Sequence, residues 1–369
     1  MLRFLSGTFL IIGAIIGGGI LAIPIVSANY GFLPTLIFIL VSWLVMTKTG
    51  LYILDLTLSC PEKYNSYYSI VGKYLGNKMQ LITVTLFLWL LYFSLSSYIS
   101  GCTSLIMSHL TWPHPLLSHF NISLSCVIIL GTIVIISAKT IVRLNVVLVS
   151  FKLCLLGIAI IFGTSYATGS VSTKIVGGPT GAFALLMVIV NSFGYQFIIP
   201  SLVSYYGRGN RNLFQWMLIT STTLVLIVYI SWLYTIYTLI PSEGEHGLLS
   251  IYASNNQLLA FNQSLKFYLN STVMSELLST FQVVALFGSF VCVSLGVFDF
   301  LVDVMKAKKR FWVGIATFTP PLILSLFSQN MYVYALSVSG YIAVILEIVI
   351  PYFAKRKYNY LSTKNLVEN

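Results

Sequence analysis

The chain has 369 residues, of which 57% are hydrophobic and only 8% charged. Soluble domains carry about 25% charged residues, so this composition argues against a soluble enzyme or binding module. The formal net charge of +11 points to nucleic acid, anionic lipid or membrane topology, and so few charges over so much apolar sequence make nucleic acid the weakest of the three.

Apolar runs between polar breaks predict ten membrane helices, near residues 7–30, 32–59, 81–108, 122–138, 143–166, 180–206, 213–240, 276–305, 311–328 and 331–353. The first run is too long for a signal-peptide core and passes into the second without an A-x-A-like cleavage site, so it reads as retained. Residues 62–78 mix Tyr64, Tyr67, Tyr68 and Tyr74 with Lys63, Lys73 and Lys78, which predicts a short interfacial helix with rings at the lipid headgroups and ammonium groups in water. Residues 241–275 read as a polar exterior loop with a short surface helix, and residues 354–369 as a tail. Cys60, Cys102, Cys126, Cys154 and Cys292 show no paired spacing and read as small hydrophobes, without disulfide or metal.

Short positively charged loops stay in the cytoplasm. One side of the predicted topology holds Arg3, Lys63, Lys73, Lys78, Lys139, Arg143, Arg208, Arg211, Lys306, Lys308, Lys309, Arg310, Lys355, Arg356, Lys357 and Lys364. The other holds Lys174 and Lys266, while Lys48 and Lys152 fall inside apolar runs. Both termini are therefore expected in the cytoplasm, and the basic face is expected to attract anionic lipid.

An offset of 176 residues aligns Gly18 with Gly194, Ile23 with Ile199, Pro24 with Pro200, Tyr30 with Tyr206 and Gly31 with Gly207. The offset is nearly half the chain and pairs the first span with the sixth. Five spans per half would invert the second half in the membrane, a recurrent secondary-transporter design with its site at the midplane between broken helices. Both stretches carry helix breakers: Gly17-Gly18-Gly19 lowers helix propensity by roughly 1 kcal/mol per glycine, and Pro24 and Pro200 lack the N–H that bonds one turn back. Gly13 to Gly17 also forms a G-x-x-x-G spacing that serves helix packing, but packing does not require both Gly and Pro to recur in register. An unwound segment exposes N–H groups to a carboxylate and C=O groups to an ammonium. An amino acid zwitterion presents both.

Gly13-Ala14-Ile15-Ile16-Gly17-Gly18-Gly19-Ile20-Leu21-Ala22-Ile23-Pro24 resembles the first-helix signature of the bacterial aromatic amino acid permeases, the tyrosine- and tryptophan-specific transport proteins. The stretch from Ser192 to Tyr205 is similar to their sixth-helix segment, and Ser294 to Asp303 to their eighth-helix motif. The resemblance implies an all-α polytopic membrane protein of about ten transmembrane helices, the five-plus-five inverted repeat (about 1–166 and 177–353) of the amino acid/polyamine/organocation superfamily, in the bacterial inner membrane. It implies import of an aromatic amino acid, tyrosine first and tryptophan next, by proton symport, with sodium as the alternative coupling ion. Many members have an eleventh helix, which is not predicted here. Carried over residue by residue, Gly17, Gly18 and Gly19 would bind the substrate carboxylate. Asn191, Ser192 and Phe193, next to Gly194, would face the ammonium, and Phe193 and Tyr195 either stack on the substrate ring or pack against neighbouring helices.

Lys152 lies nine residues beyond Arg143, roughly 14 Å into the bilayer at about 1.5 Å per residue. An ammonium there needs a partner or a use; the bland reading is a side chain that snorkels to the interface. In some members of the superfamily a fifth-helix lysine replaces a sodium ion between the first and eighth helices, which would make Lys152 the coupling group with Ser289 and Ser294 as nearby oxygen donors. Asp55 is expected to meet a cation of another helix. Asp299 and Asp303 read as a solvated or loop-pairing cytoplasmic gate rather than a proton relay, and Glu347 reads the same way. His109, His114 and His119 read as a polar connection, since two prolines disrupt any zinc geometry. Asn121, Asn262 and Asn270 begin chance-prone N-x-S/T triplets. The sequence shows no phosphate-cradling loop, nucleophile elbow or metal-ligand spacing, so an ATP-driven pump or membrane hydrolase lacks its equipment. The remaining alternatives are a non-concentrative channel, an amino acid sensor, or sodium-coupled transport of another neutral amino acid.

Overall fold

Gly and Pro placement decides where the helices of this chain stop, and length and hydropathy decide which cross the bilayer. The computed structural model describes residues 2–61, 66–109, 118–136, 138–163, 176–208, 210–269, 271–305 and 310–367. The elements in chain order are α1 (Leu2–Ile15), α2 (Gly19–Ser27), α3 (Phe32–Ser59), α4 (Tyr67–Leu75), α5 (Asn77–His109), α6 (His119–Ile136), α7 (Ala138–Gly163), α8 (Pro179–Ser192), α9 (Ile199–Tyr206), α10 (Arg211–Leu239), α11 (Leu248–Ala253), α12 (Gln257–Leu269), α13 (Thr272–Met305), α14 (Arg310–Ser325), α15 (Met331–Ala343) and α16 (Ile350–Val367). A 3-10 turn at Gln196–Ile198 precedes α9, and a π-helical turn at Val344–Val349 joins α15 to α16. No strand occurs among the described residues.

Among the described residues, six helical stretches are long and apolar enough to cross a membrane: Phe32–Ser59, Asn77–Ser108, Pro179–Tyr206, Arg211–Leu239, Thr272–Val302 and Met331–Thr363. The α1–α2 pair, bent by 47°, makes a seventh if it is one span. Three shorter apolar helices, His119–Thr132, Val147–Gly163 and Phe311–Ser325, stand where the fourth, fifth and ninth spans are expected. Helix α3 shows the membrane pattern plainly. Leu33, Ile37, Leu40, Val41 and Leu44 face outward, while Thr35, Ser42, Met46, Thr49 and Ile53 are buried. With lipid as apolar as leucine, burial of Leu drives nothing, and small or hydroxyl-bearing residues that pack closely and hydrogen-bond turn inward instead. Thr47 Oγ1 donates to Thr222 Oγ1 at 3.0 Å across the α3–α10 face.

Helices α5 and α13 are the long central struts. Among the described residues the broadest helix–helix face is α5 on α15, followed by α13 on α7 and α15 on α8 and then by α5 on α13. Gly340 brings α15 against the backbone of Met187 in α8, and Ser97 Oγ donates to the Tyr332 carbonyl at 2.8 Å. Gly31 (φ 74°) and Gly207 (φ 83°) sit at the exits of the first and sixth spans, a left-handed region that penalises a Cβ. These glycines are aligned by the 176-residue offset, and they turn the chain in the same way.

Three expectations change. The helix predicted in 62–78 is present as α4, but Tyr67 and Tyr74 turn into the protein rather than to the headgroups; Tyr68 alone of the three described rings is exposed. The exterior loop 241–275 contains two helices, and α12 buries Leu258, Phe261, Leu265 and Leu269 along one face, a helical spacing. The tail continues as α16, where Ala354 is buried and Tyr358 packs edge-on to Tyr74 at 5.8 Å. His114 lies outside the described residues, as do the side chains of His109, Asp299 and Asp303. Asn262 is buried and donates to Ser108 Oγ at 3.2 Å, a poor setting for a glycan.

Candidate functional site

The two breaks face each other. Helix α1 stops at Ile15 and α2 begins at Gly19; α8 stops at Ser192 and resumes only at Gln196. Helix α2 packs along α8, and Gly19 sits so close to Ser192 that a Cβ there would overlap the serine side chain. Gly18 lies against the Tyr98 ring, and Gly17 against the Ser289 hydroxyl. Absence of side chains thus lets three elements, α5, α8 and α13, close on the first break.

A broken helix orphans carbonyls on one side and N–H groups on the other, and in hydrocarbon each orphan must be satisfied by protein. The carbonyls are capped by side chains. The Tyr229 hydroxyl of α10 lies 2.8 Å from Ser192 O and 3.2 Å from Ile15 O, so one donor bridges both breaks. Tyr332 of α15 donates to Gly18 O. Pro24 lacks the N–H that would bond Ile20 O one turn back, and Trp232 Nε1 donates to that carbonyl at 3.1 Å. Lys152, buried on α7, donates to Ile16 O and, at 3.3 Å, to Gly13 O. The N–H side is different. Gly18 provides no side-chain cap for α2, so the first-turn N–H groups at Gly18, Gly19 and Ile20 are those a helix leaves without intrahelical partners. The first break therefore offers donors more readily than acceptors, as an anionic group requires.

The predicted residues divide by position. Gly17, Gly18, Gly19 and Ser192 come together. Asn191 O accepts from Gly194 N at 3.2 Å, and Val190 O from Phe193 N at 3.0 Å. Phe193 is fully buried and packs edge-on to Tyr229 at 5.1 Å. Tyr195 points away into α3, where its hydroxyl donates to Met46 O at 3.3 Å and its ring fills the space above Gly50. Ser289 joins Gly17, but its hydroxyl donates to Ala285 O at 2.8 Å. Ser294 donates to Val291 O at 3.1 Å on its own helix, with no hydrogen bond to Lys152 among the described residues. Lys152 does not snorkel: 3% of it is exposed, and its ammonium occupies the carbonyl end of α1 as a bound cation would.

Tyr98, Tyr229, Trp232 and Tyr332 escape a motif search. A usable signal is present in the sequence, because a tyrosine or tryptophan inside an apolar span needs a partner for its polar tip, and broken spans supply orphan carbonyls. Gln196, also missed, is fully buried; its Oε1 accepts from Tyr195 N at 2.9 Å and its Nε2 donates to Thr49 Oγ1 at 3.1 Å. Glu347 corrects the expectation of a solvated or loop-paired carboxyl. It is buried in the π-helical turn, 2% exposed, with Oε2 unpartnered among the described residues. Asp55 meets cations of two other helices, with 2.8 Å to Arg211 Nε and 2.8 Å to Lys355 Nζ.

The chain resembles transport proteins along its whole length. Residues 2–365 match the model of the tryptophan/tyrosine permease family. A low affinity tryptophan permease of Escherichia coli (strain K12) is 26% identical over 360 residues, covering 94% of this chain and 85% of that protein. A tryptophan-specific transport protein of Pseudomonas aeruginosa (strain UCBPP-PA14) is 27% identical over 367 residues, covering 94% and 84%. Tyrosine-specific transport system 2 of Haemophilus influenzae is 28% identical over 362 residues, covering 94% and 86%. With apolar spans, paired breaks and a family match that covers nearly every residue, the chain is an integral membrane protein that belongs to the tryptophan/tyrosine permease family.

Proposed function

We propose that the protein is a secondary active transporter that imports an aromatic amino acid, tyrosine or tryptophan, by proton symport and alternating access. The observation that carries this reading is the pair of facing breaks bridged by Tyr229. The first-turn N–H groups of Gly18 and Gly19, with Gly17 beside them, receive the substrate carboxylate. The Asn191 and Ser192 carbonyls, each with a second lone pair, receive the ammonium. Phe193, with its ring at the sixth break, is the better-placed stacking residue. Tyr195 is committed to α3 and acts on the pocket only through the backbone it fixes.

The architecture in this reading is ten spans in two inverted five-span repeats, within one membrane domain and with both termini in the cytoplasm. Matched glycines Gly31 and Gly207 support it, as does a symmetry of contacts. Under the repeat the third span corresponds to the eighth and the tenth to the fifth, and α5 on α15 and α13 on α7, both among the broad faces, are mates. Near α3 the basic face gathers Arg208 against Cys60 O and Arg211 and Lys355 against Asp55. Bacterial inner membrane is the location that fits the relatives. Lys152 serves as the coupling cation that ties α7 to the first break.

Reconstituted proteoliposomes with an imposed gradient, alkaline inside, test the reading. Labelled tyrosine or tryptophan rising above its external concentration supports symport. Equilibration alone identifies a channel, and binding without flux a sensor. Dependence on sodium rather than on the pH gradient assigns the other coupling ion, and competition among Tyr, Trp, Phe and Leu ranks the substrates.

A further inference from the structure

Glu347 occupies a place that no charge needs for topology. Its side chain points at Gly194: a Cβ built on that glycine would stand 2.9 Å from Glu347 Oε1 and 3.0 Å from Oε2. Gly194 is the centre of the sixth-span break and the repeat mate of Gly18, so a buried lysine, Lys152, stands at the first break and a buried glutamate, Glu347, at the sixth. The turn that bears Glu347 is π-helical, a rare geometry found frequently at functional sites. Tyr67 of α4 donates to Leu346 O in the same turn.

Among the described residues, no charged side chain pairs with Glu347. Tyr67 and Tyr195 are the titratable groups that face Glu347. The turn packs against α3, α5, α8, α15 and α16. Of the nearby charged groups, Asp55 of α3 and Lys355 of α16 are paired with each other, and Lys48 of α3 is exposed. No salt bridge reaches Glu347 among the described residues. Gln196 spends its amide on Met46 O and Thr49 Oγ1. Burying a carboxylate with neither cation nor donor costs several kcal/mol even after relaxation, whereas a neutral acid fits this packing.

We propose that Glu347 carries the coupled proton at the sixth-span break: the acid is neutral while packed against Gly194, and it loses its proton to water when the π-helical turn separates from the break toward the basic face. The O–H bond that breaks is that of the carboxyl, and the charge left behind favours the hydrated, open arrangement. The empty carrier then requires a new proton before the turn can pack again. This inference rests on the proton-symport reading and adds the residue that releases the proton.

A symporter exchanges substrate in its proton-loaded form, so Glu347→Gln, a neutral isostere of that form, is expected to retain exchange of labelled tryptophan or tyrosine in proteoliposomes while losing net accumulation. With one proton per substrate the wild type approaches about tenfold accumulation per pH unit, and the variant falls to simple equilibration. Wild-type accumulation in Glu347→Gln overturns the proposal. If the wild type itself ignores the pH gradient, proton symport fails as a reading, and the carboxyl is then judged by infrared spectroscopy. A protonated-acid carbonyl band present in the wild type and missing from Glu347→Gln supports a proton on Glu347, and no such band overturns it. Should Glu347→Gln not fold, Glu347→Asp keeps the acid on a shorter stem: a shifted pH profile of accumulation supports the proposal, and an unchanged profile overturns it.

Discussion

The ammonium of Lys152 donates to the carbonyl of Ile16, the first residue beyond the end of α1. A side chain on α7 therefore holds the end of a half-helix in place, and under the proposed coupling role loss of that hold is expected to affect both stability and transport. Lys152→Ala leaves the Ile16 and Gly13 carbonyls without their ammonium donor, which costs about 1–3 kcal/mol. We expect a lowered thermal unfolding temperature in detergent and no gradient-driven accumulation in proteoliposomes. Accumulation at wild-type rates would remove Lys152 from coupling.

Tyr229 reaches both breaks with one oxygen. Tyr229→Phe keeps the ring against Phe193 and deletes only the donor, so the loss of stability is expected at about 1–3 kcal/mol, with slower transport and little change in fold by circular dichroism. Tyr237→Phe, which removes a 2.7 Å bond to Ser27 O beyond the break, makes the control: comparable destabilisation with a smaller effect on transport.

The contact between Gly19 and Ser192 predicts a compensating pair. Gly19→Ala forces a methyl into the Ser192 side chain, and overpacking of this kind typically costs about 1–3 kcal/mol. Ser192→Gly removes the obstructing atoms, although the backbone of residue 192 remains 3.2 Å from the new methyl. The double variant should be more stable than the sum of the single effects predicts, by about 0.5 kcal/mol or more, when melting is measured for all four proteins.

Asp55 ties α3 to α10 through Arg211 and to α16 through Lys355. The Arg211 side chain is 51% exposed and those of Asp55 and Lys355 are 19% and 18% exposed, so solvent screens much of the attraction. Asp55→Asn should cost on the order of 1 kcal/mol at most, with the difference from wild type shrinking as salt is added. A salt-independent difference in melting temperature would show that packing, not charge, holds this corner.

Much of this protein is legible in its residues, and the part that is not has a common cause. Gly17, Gly18, Gly19, Pro24 and Pro200 mark the breaks because a helix without Cβ atoms or without an N–H fails locally, whatever surrounds it. Asp55 is legible as a paired residue because an acidic group near a basic face has partners to find. Glu347 misleads because it lies eight residues before Lys355 in sequence, which suggests solvent, while α4 and the sixth-span break cover it in space. Tyr67 and Tyr74 mislead similarly: a mixed Tyr/Lys segment fits a membrane surface, but which rings turn inward depends on α16, a partner almost 300 residues away. The tyrosines that cap the first break belong to α10 and α15, and no local pattern reveals which carbonyl a distant hydroxyl will meet.

Gly31 and Gly207 have one more consequence. Each stands seven residues after the proline of its half-span, Pro24 and Pro200, so the same number of residues separates proline from corner in both halves. Deleting one residue from either would bring a side-chain-bearing neighbour to a corner where only glycine is comfortable, and would rotate everything deeper by about 100°. The depth of each break below its surface is therefore fixed by a count of residues, not by any particular side chain. A side-chain substitution beside a break leaves that count unchanged, whereas an insertion or deletion in either stretch does not.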